Sequence, residues 1–181
     1  NDFYGLWLDD TMTYSSALFE NGQESTETAQ RAKYARMIDA IGVGPGDHVL
    51  EIGCGWGGFA EYAAGERGLR VTGLPLSREQ HDYAVARMAA AGLSDKVDIK
   101  LQDYRDETGL YDGAVSIEMF EAVGERYWPT YFKLLRERLK PGARAALQII
   151  TVAETRFATY RKSVDFIQKY IFPGGMLPSP S

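Results

Sequence analysis

The sequence predicts an α/β fold in which a parallel sheet carries helices on both faces. Short apolar segments alternate with segments whose apolar residues recur at helical spacing, which is typical of βαβ units. A glycine-rich turn directly follows the first strand segment, where folds of this class bind ligands. The 181 residues, 45% hydrophobic and 25% charged, fit one globular domain.

The individual elements follow one another in a regular order. A first helix is expected over residues 26–41, because Tyr34, Met37 and Ile41 fall on one face. The glycine and proline residues at 44–46 break it. The remaining elements are strands over 48–52, 70–74, 97–101, 114–117 and 145–152, and helices over 59–66, 77–91 and 126–139. Pro141 and Gly142 are expected to end the last helix.

Composition excludes several classes of protein. The net charge of −5 argues against a nucleic-acid binder, which usually carries a basic excess. Cys54 is the only cysteine, so no intramolecular disulfide is expected. No apolar run approaches the roughly 18 residues of a membrane span, and no signal peptide is visible. His48 and His81 have no neighbours with metal-ligand spacing. We therefore predict a cytoplasmic protein without a metal, and make no prediction of oligomeric state.

The glycine-rich turn at residues 51–57 (EIGCGWG) is the strongest local motif. Glycines permit a tight turn and close approach to a ligand, and the following helix offers unpaired N–H groups. Gly53, Gly55 and Gly58 also satisfy the spacing of a dinucleotide fingerprint. The acidic residue Glu51, two positions before the first glycine, is similar to motif I of S-adenosylmethionine methyltransferases. We therefore favour that cofactor over a nicotinamide.

Two further polar positions have open interpretations. Strand two ends without the acid that commonly binds ribose hydroxyls, and Gln80 is the nearest polar substitute. Gln80 could equally complete a capping box with Ser77. Asp103, after strand three, lies where an adenine amino group is often met, but it could also be a turn residue.

Six blocks in order resemble the cyclopropane fatty acid synthase and mycolic acid cyclopropane synthase family of S-adenosylmethionine-dependent methyltransferases. The blocks are residues 1–4 (NDFY), 12–15 (MTYS), 49–58 (VLEIGCGWGG), 101–106 (LQDYRD), 116–124 (SIEMFEAVG) and 169–178 (KYIFPGGMLP). The resemblance implies a Rossmann-like class I methyltransferase fold, with the chain ending before the last two strands of a seven-stranded sheet. Plant benzylisoquinoline N-methyltransferases share much of this pattern, so the acceptor is less certain than the cofactor.

The same resemblance implies a division of the chain and a cofactor site. Residues 1–25 would cover the cofactor, 26–152 would form the core, and 153–181 would be a lid over the acceptor site. S-adenosylmethionine would contact Tyr14, Ser15, Glu51, Gly53, Gly55, Gly57, Leu76, Gln80, Asp103 and Tyr104. Arg156, Arg161 and Lys162 lie among apolar residues of the lid, so peripheral membrane contact is a second interpretation of this segment.

The chemistry implied by the resemblance gives four further residues a role. An alkene that takes up a methyl group becomes a cation, which aromatic faces such as that of Tyr170 can stabilise. In the family, a bicarbonate held by a cysteine, a glutamate and a histidine then removes a proton. Glu121 matches the glutamate, whereas Ser16 and Gln148 stand in place of the cysteine and histidine. Both can still donate hydrogen bonds, so bicarbonate remains a predicted cofactor. Glu121 itself could also be the base.

We therefore expect transfer of a methyl or methylene group from S-adenosylmethionine to the double bond of an unsaturated phospholipid or other acyl chain. Two alternatives stay open. One is a methyltransferase acting on a small amine, and the other is a non-catalytic cofactor-binding module.

Overall fold

The computed structural model describes residues 2–180, and its centre is a single five-stranded sheet. The strands are β1 (His48–Ile52), β2 (Arg70–Leu74), β3 (Val97–Ile99), β4 (Tyr111–Ile117) and β5 (Leu139–Gln148). They are parallel throughout and lie in the order β3-β2-β1-β4-β5. The predicted parallel sheet is therefore confirmed.

Helices connect the strands and flank the sheet. They are α1 (Asp2–Gly5), α2 (Thr26–Ile41), α3 (Gly58–Gly65), α4 (Arg78–Ala90), α5 (Trp128–Glu137) and α6 (Glu154–Tyr160). Helix α2 begins at Ser25, whose side chain accepts the N–H of Thr28, and ends at Gly42 in the left-handed conformation. The glycine cap at 42 thus ends α2 before residues 44–46 are reached.

The strand order creates a topological switch point between β1 and β4. From β1 the chain builds the sheet outward through β2 and β3, and then returns to place β4 on the opposite side of β1. Loops that leave β1 and β4 diverge there, which opens a crevice at their carboxyl ends. Both the glycine turn and the 116–124 block leave the sheet at this point.

Two hydrophobic cores cover the two faces of the sheet. Alternation along β1 sends Val49 to one face and Leu50 to the other. The first core packs α2, α3 and α4 through residues such as Ile38, Phe59 and Met88. The second packs α5 and the loop after β4 through Phe120, Tyr131 and Leu135, among others. The chain therefore has helices on both faces, as the alternating pattern predicted.

The prediction for β5 was wrong by several residues at both ends. The strand begins at Leu139, and Pro141 and Gly142 lie inside it instead of ending a helix. The pairing shifts register between Tyr111 and Gly113 of β4, which leaves these residues in an irregular stretch. Among the described strands β5 is at the edge, where a proline removes no ladder hydrogen bond. Residues 149–152 leave the sheet altogether.

The carboxyl-terminal segment, residues 153–180, packs back over the loop after β4. It contains α6 and a π-helical turn, Ile167–Ile171. The Met176 N–H donates to the Glu121 carbonyl at 2.8 Å, and the Val152 N–H donates to the Pro178 carbonyl at 2.9 Å. Within residues 2–180, no helix combines the length and the apolar character needed to cross a bilayer.

Replacement of Ile38 by alanine tests the first core. Ile38 is fully buried between α2 and the sheet, so Ile38→Ala should lower the free energy of unfolding by about 2–5 kcal/mol. Arg36→Ala, two residues earlier on the exposed side of α2, should change it by less than about 0.5 kcal/mol. Urea denaturation followed by circular dichroism measures both. Equal effects would contradict the assignment of the buried face.

Candidate active site

Two adjoining cavities open at the carboxyl ends of β1 and β4. The first, of about 280 Å³, is walled mainly by apolar side chains, among them Met12, Trp56, Phe59, Ile117, Phe172 and Leu177. The second, of about 530 Å³, is lined by Leu74, Leu76, Leu101, Asp103, Tyr104, Met119 and Tyr127, among others. Gly53 and Ala122 line both. The pair thus forms one elongated crevice, with the glycine turn at its centre.

The glycine turn depends on the absence of side chains at specific positions. Gly53 has φ of +83°, and a Cβ there would lie 2.8 Å from the Met119 side chain. A Cβ on Gly58 would lie 2.7 Å from the Thr11 carbonyl oxygen. Gly53 and Gly55 line the first cavity, whereas Gly57 packs against Ala84 of α4. Gly57 therefore lets α4 approach the turn, and only the other two predicted glycines face the crevice.

The buried ammonium of Lys33 fastens the amino-terminal segment over this turn. Its Nζ donates to Ser15 Oγ at 2.7 Å and to the Ser16 carbonyl at 3.0 Å. Gln30 donates to the Ser15 carbonyl at 2.8 Å. Burial lowers the pKa of Lys33 to about 8. Ser15, a predicted cofactor contact, lines the first cavity, but its hydroxyl already accepts a hydrogen bond from Lys33.

Arg87 of α4 fastens the same segment further upstream. Its guanidinium donates to the Thr11 carbonyl at 2.9 Å and to the Asp10 carbonyl at 3.1 Å, and forms an ion pair with Glu61 at 2.5 Å. Two helices thus hold the segment across the turn. This arrangement suits the predicted covering role of residues 1–25.

Tyr14 and Gln80 form a bridge between the amino-terminal segment and α4. Gln80 Nε2 donates to the Tyr14 hydroxyl at 3.2 Å, and its Oε1 accepts the Leu76 N–H at 3.2 Å. The Gln80 N–H donates to Ser77 Oγ, so half of the predicted capping box is formed. Tyr14 lines the first cavity and Leu76 the second, whereas Gln80 positions both without lining either.

Glu51 is buried beneath the first cavity with no partner for one of its oxygens. Only 3% of the residue is exposed, and Oε2 has no hydrogen-bond partner. Burial raises the pKa of Glu51 to about 8, and the nearby Lys33 ammonium opposes this shift. A buried carboxyl without a donor is costly and suggests a ligand that supplies one.

Asp103 and Tyr104 both line the second cavity. Asp103 caps the short 3₁₀ turn at Tyr104–Asp106 and accepts from Arg105 Nη2 at 2.6 Å, which lowers the pKa of Asp103. The turn interpretation of Asp103 is therefore realised in the structure. Its position in the cavity leaves the adenine interpretation open beside it.

Glu118, which the sequence analysis did not single out, joins Ser16 and Gln148. Glu118 Oε1 accepts from Ser16 Oγ at 2.5 Å, from the Ser16 N–H at 3.0 Å and from Gln148 Nε2 at 2.7 Å. Gln148 Nε2 also donates to Ser16 Oγ at 2.9 Å. The structure thus brings the two predicted positions together around a third residue. The only sequence signal was an acid directly after β4.

Glu121 lies on the wall shared with Glu118. Its Oε1 accepts the Ile150 N–H, and its Oε2 is buried without a partner. Burial raises the pKa of Glu121, and the charge of Glu118 acts in the same direction. On this wall of the first cavity, Glu118 therefore has several donors, whereas Glu121 has one oxygen without a donor.

The predicted aromatic residue Tyr170 lies outside both cavities. Tyr170 is 61% exposed, and its ring packs at a tilt against that of Phe166, with the centroids 5.1 Å apart. The thiol of Cys54 is buried behind the glycine turn, and burial raises its pKa. In the part of the chain that the structure describes, no three His, Cys, Asp or Glu side chains form a metal-binding group.

The whole chain, residues 1–181, matches the family model described as mycolic acid cyclopropane synthetase. The chain belongs to this family. It is 47% identical over 186 residues to the tuberculostearic acid methyltransferase UfaA1 of Mycobacterium tuberculosis, covering 99% of this chain and 43% of the relative. It is 41% identical over 180 residues to the cyclopropane-fatty-acyl-phospholipid synthase of Escherichia coli K12, covering 99% and 44%. The chain thus spans less than half the length of these relatives.

Solved structures support the same assignment. The mycolic acid cyclopropane synthase CmaA1, complexed with SAH and CTAB, superimposes with a TM-score of 0.87 at 31% identity, over 98% of this chain and 66% of that chain. A coclaurine N-methyltransferase superimposes at 0.82 with 22% identity, which shows a shared fold alone. The predicted family and the predicted Rossmann-like methyltransferase fold are confirmed.

Replacement of Glu51 by glutamine tests the burial of its carboxyl. Because its folded pKa of about 8 exceeds the ordinary value of 4.5, wild-type stability should fall as the pH rises from 4.5 to 8. Glu51→Gln removes that loss. Its melting temperature without ligand should therefore exceed wild type by several degrees at pH 8, at roughly 2–4 °C per kcal/mol, and match it at pH 4.5.

Differential scanning fluorimetry across this pH range makes the measurement. Glu20→Gln, at an exposed position of the same chain, is the control and should show no such trend. A Glu51→Gln variant less stable than wild type at pH 8 would show that the carboxylate is ionised and favourably paired.

Proposed function

We propose that this chain is the S-adenosylmethionine-binding part of an enzyme that transfers a methyl or methylene group to the double bond of an unsaturated fatty acyl chain. The observation that carries the proposal is the apolar first cavity, which adjoins the second at Gly53 and is lined by three carboxylates, Glu51, Glu118 and Glu121. A relative 47% identical is named a tuberculostearic acid methyltransferase, which supports a fatty acyl acceptor.

The crevice fits S-adenosylmethionine in shape and charge. The second cavity, with Leu76, Asp103 and Tyr104, would hold the adenosine portion. Gly53 and Gly55 leave space for the methionine portion beside the first cavity. The unpartnered Glu51 oxygen would accept a hydrogen bond from the cationic end of the cofactor. When bound, the cofactor supplies an electrophilic methyl carbon.

The first cavity fits an acyl chain at the reacting segment. Its apolar walls exclude water, and Tyr14 and Trp56 present aromatic surface toward a cationic centre. Ile167, Phe172 and Leu177 of the carboxyl-terminal segment close one side, which supports the proposed role of residues 153–181 as a lid. An acceptor that is an unsaturated phospholipid or a free acyl chain would enter beneath this segment.

In this proposal Glu121 acts as the base. The Ile150 N–H fixes one of its oxygens, and the second is buried without a donor. The alkene would gain the methyl carbon as the carbon–sulfur bond breaks and the sulfur leaves as a neutral thioether, and Glu121 Oε2 would then take one proton from the resulting cation. The electron pair of the broken C–H bond would then close the cyclopropane ring or form a new double bond.

A second candidate is methyl transfer to a small amine. Glu118 and Glu121 on one wall of the first cavity could bind a cationic amine, and Tyr14 could pack against it. The apolar majority of the lining and the fatty-acyl names of the relatives favour the lipid.

Labelling with deuterium tests the acceptor. Cells that express the full-length protein containing residues 1–181 are fed methionine with a CD₃ group, and their fatty acids are analysed by mass spectrometry. We expect unsaturated acyl chains to gain one carbon. Two retained deuterium atoms would show that a methyl proton is lost, as in ring closure or methylene formation, and NMR of the product separates these two. Three would show simple methylation.

Cells with the empty vector and with a Gly53→Ala variant are the controls, since a Cβ at Gly53 would collide with Met119. If no lipid is labelled while the purified protein binds S-adenosylmethionine in calorimetry, the lipid proposal is wrong. Transfer of label to amines in an in vitro screen would then favour the second candidate.

Replacement of Glu121 by glutamine tests the base. Since glutamine cannot take the proton, kcat should fall by about 10²–10⁴-fold, while the dissociation constant of S-adenosylmethionine stays near wild type. In wild type, kcat should decline at acidic pH as the carboxylate, whose pKa burial raises, becomes protonated. Radiolabel transfer to oleoyl phospholipid across pH measures both effects.

Glu125→Gln is the matched control, because Glu125 lies on the same loop but pairs with Arg161 outside the two cavities. Its kcat should remain close to wild type. A Glu121→Gln variant with normal kcat would assign proton removal to another group.

A further inference from the structure

We propose that Glu118 is a further catalytic residue, an anion built into the reaction cavity that replaces an external anionic cofactor. Its carboxylate lines the first cavity beside Glu121. This inference rests on the proposed lipid reaction for its chemical role, but the occupancy of the anion site can be measured without a lipid. It deepens the proposed function by naming the group that faces the cationic centre.

The hydrogen-bond donors around Glu118 are those of an anion site. Ser16 contributes its backbone N–H and its hydroxyl, and Gln148 contributes its side-chain amide, all to Glu118 Oε1. Ser16 and Gln148 lie 102 and 30 residues from Glu118 in the sequence. The fold therefore brings three donors from distant parts of the chain to one oxygen. Among the described residues no hydrogen bond to Oε2 is formed, which leaves that oxygen for the cavity.

The backbone at Glu118 is held in a conformation that glutamate rarely adopts. Its φ is +48°, in the left-handed region where glycine is favoured. Its N–H donates to the Gln148 carbonyl at 2.9 Å, which ties the strained residue to β5. Strain at a non-glycine residue that lines a cavity commonly accompanies function. Here the strain directs the side chain back to Ser16 and Gln148.

Bicarbonate does not fit beside this arrangement. The predicted donors Ser16 Oγ and Gln148 Nε2 both donate to Glu118, at 2.5 and 2.7 Å. A second anion would have to displace the carboxylate or lie against it, and like charges at such a distance repel. We therefore infer that this chain works without bicarbonate, and that Glu118 provides the negative charge next to the cation while Glu121 accepts the proton.

Binding of ¹³C-labelled bicarbonate to the full-length protein, followed by NMR line broadening, tests the site directly. Wild type should cause no broadening beyond a bovine albumin reference. Glu118→Gly should gain binding, because the donors are freed and glycine tolerates the positive φ. Glu118→Gln should not gain it, because the amide still fills the site. Thermal melting confirms that each variant is folded.

Activity on oleoyl phospholipid in carbonate-free buffer tests the role in catalysis. Wild type should keep its rate when bicarbonate is removed. Glu118→Gly should lose at least tenfold in kcat, and added bicarbonate or formate should restore part of that loss. Glu118→Gln should lose activity without rescue, since its site remains filled but uncharged.

Several results would overturn the inference. Bicarbonate binding by wild type, abolished by Ser16→Ala, would show that the external anion has its own place. Failure of Glu118→Gly to bind any bicarbonate would show that the freed donors do not form an anion site. A wild-type rate that depends on bicarbonate would also contradict the inference, because the reaction would then need the external anion. Absence of any lipid product would instead count against the proposed function, and the binding result would still decide the occupancy of the site.

Discussion

The site depends on the hydrogen bonds that the buried ammonium group of Lys33 donates to the amino-terminal segment. This group extends from α2 to two consecutive serines of the amino-terminal segment and, together with Arg87 of α4, holds that segment across the glycine turn. Tyr14 and Ser15 face the cavity because of this attachment. Burial of a charge without full compensation lowers stability. Attachment of the segment through Lys33 therefore makes the fold less stable than an uncharged contact would.

The three glutamates around the first cavity have different hydrogen-bond surroundings, and these surroundings suit them to different roles. Glu51 has lost its solvent and has a free oxygen, which suits a cationic ligand. Glu118 has three donors on one oxygen, which suits a permanent negative charge. Glu121 has one donor and a free oxygen, which suits a proton acceptor. Environment, and not residue type, separates the three.

Local patterns in the sequence predicted the parts of the fold that depend on local physics. The boundaries of α2, β1 and β2 follow from periodicity and from their flanking caps and turns, and the structure agrees. The start of β5 failed because Pro141 and Gly142 usually end a helix, while an edge strand with irregular pairing tolerates them. That information lies in the sheet order and cannot be read from the residues themselves.

The residues of the candidate site that belong to local sequence motifs could be predicted from the sequence. Tyr14, Glu51 and Gly53, which the glycine motif and the family resemblance singled out, all line the crevice. Glu118 was missed because its meaning comes from partners far away in the chain. Tyr170 looked suitable as an aromatic residue near the acceptor, yet the π-helical turn directs it outward. Orientation of that kind is decided by packing, which residue type does not encode.

The position of Cys54 has a practical consequence. This thiol, the only one among the 181 residues, is enclosed behind the turn that forms the centre of the crevice, and its Sγ would lie 3.1 Å from a Cβ on Gly73. Because only 5% of Cys54 is exposed, alkylating reagents react with it mainly when the structure around the turn opens. The rate of thiol modification therefore reports how often the crevice opens, and the protein carries its own probe of breathing motions without any engineered label.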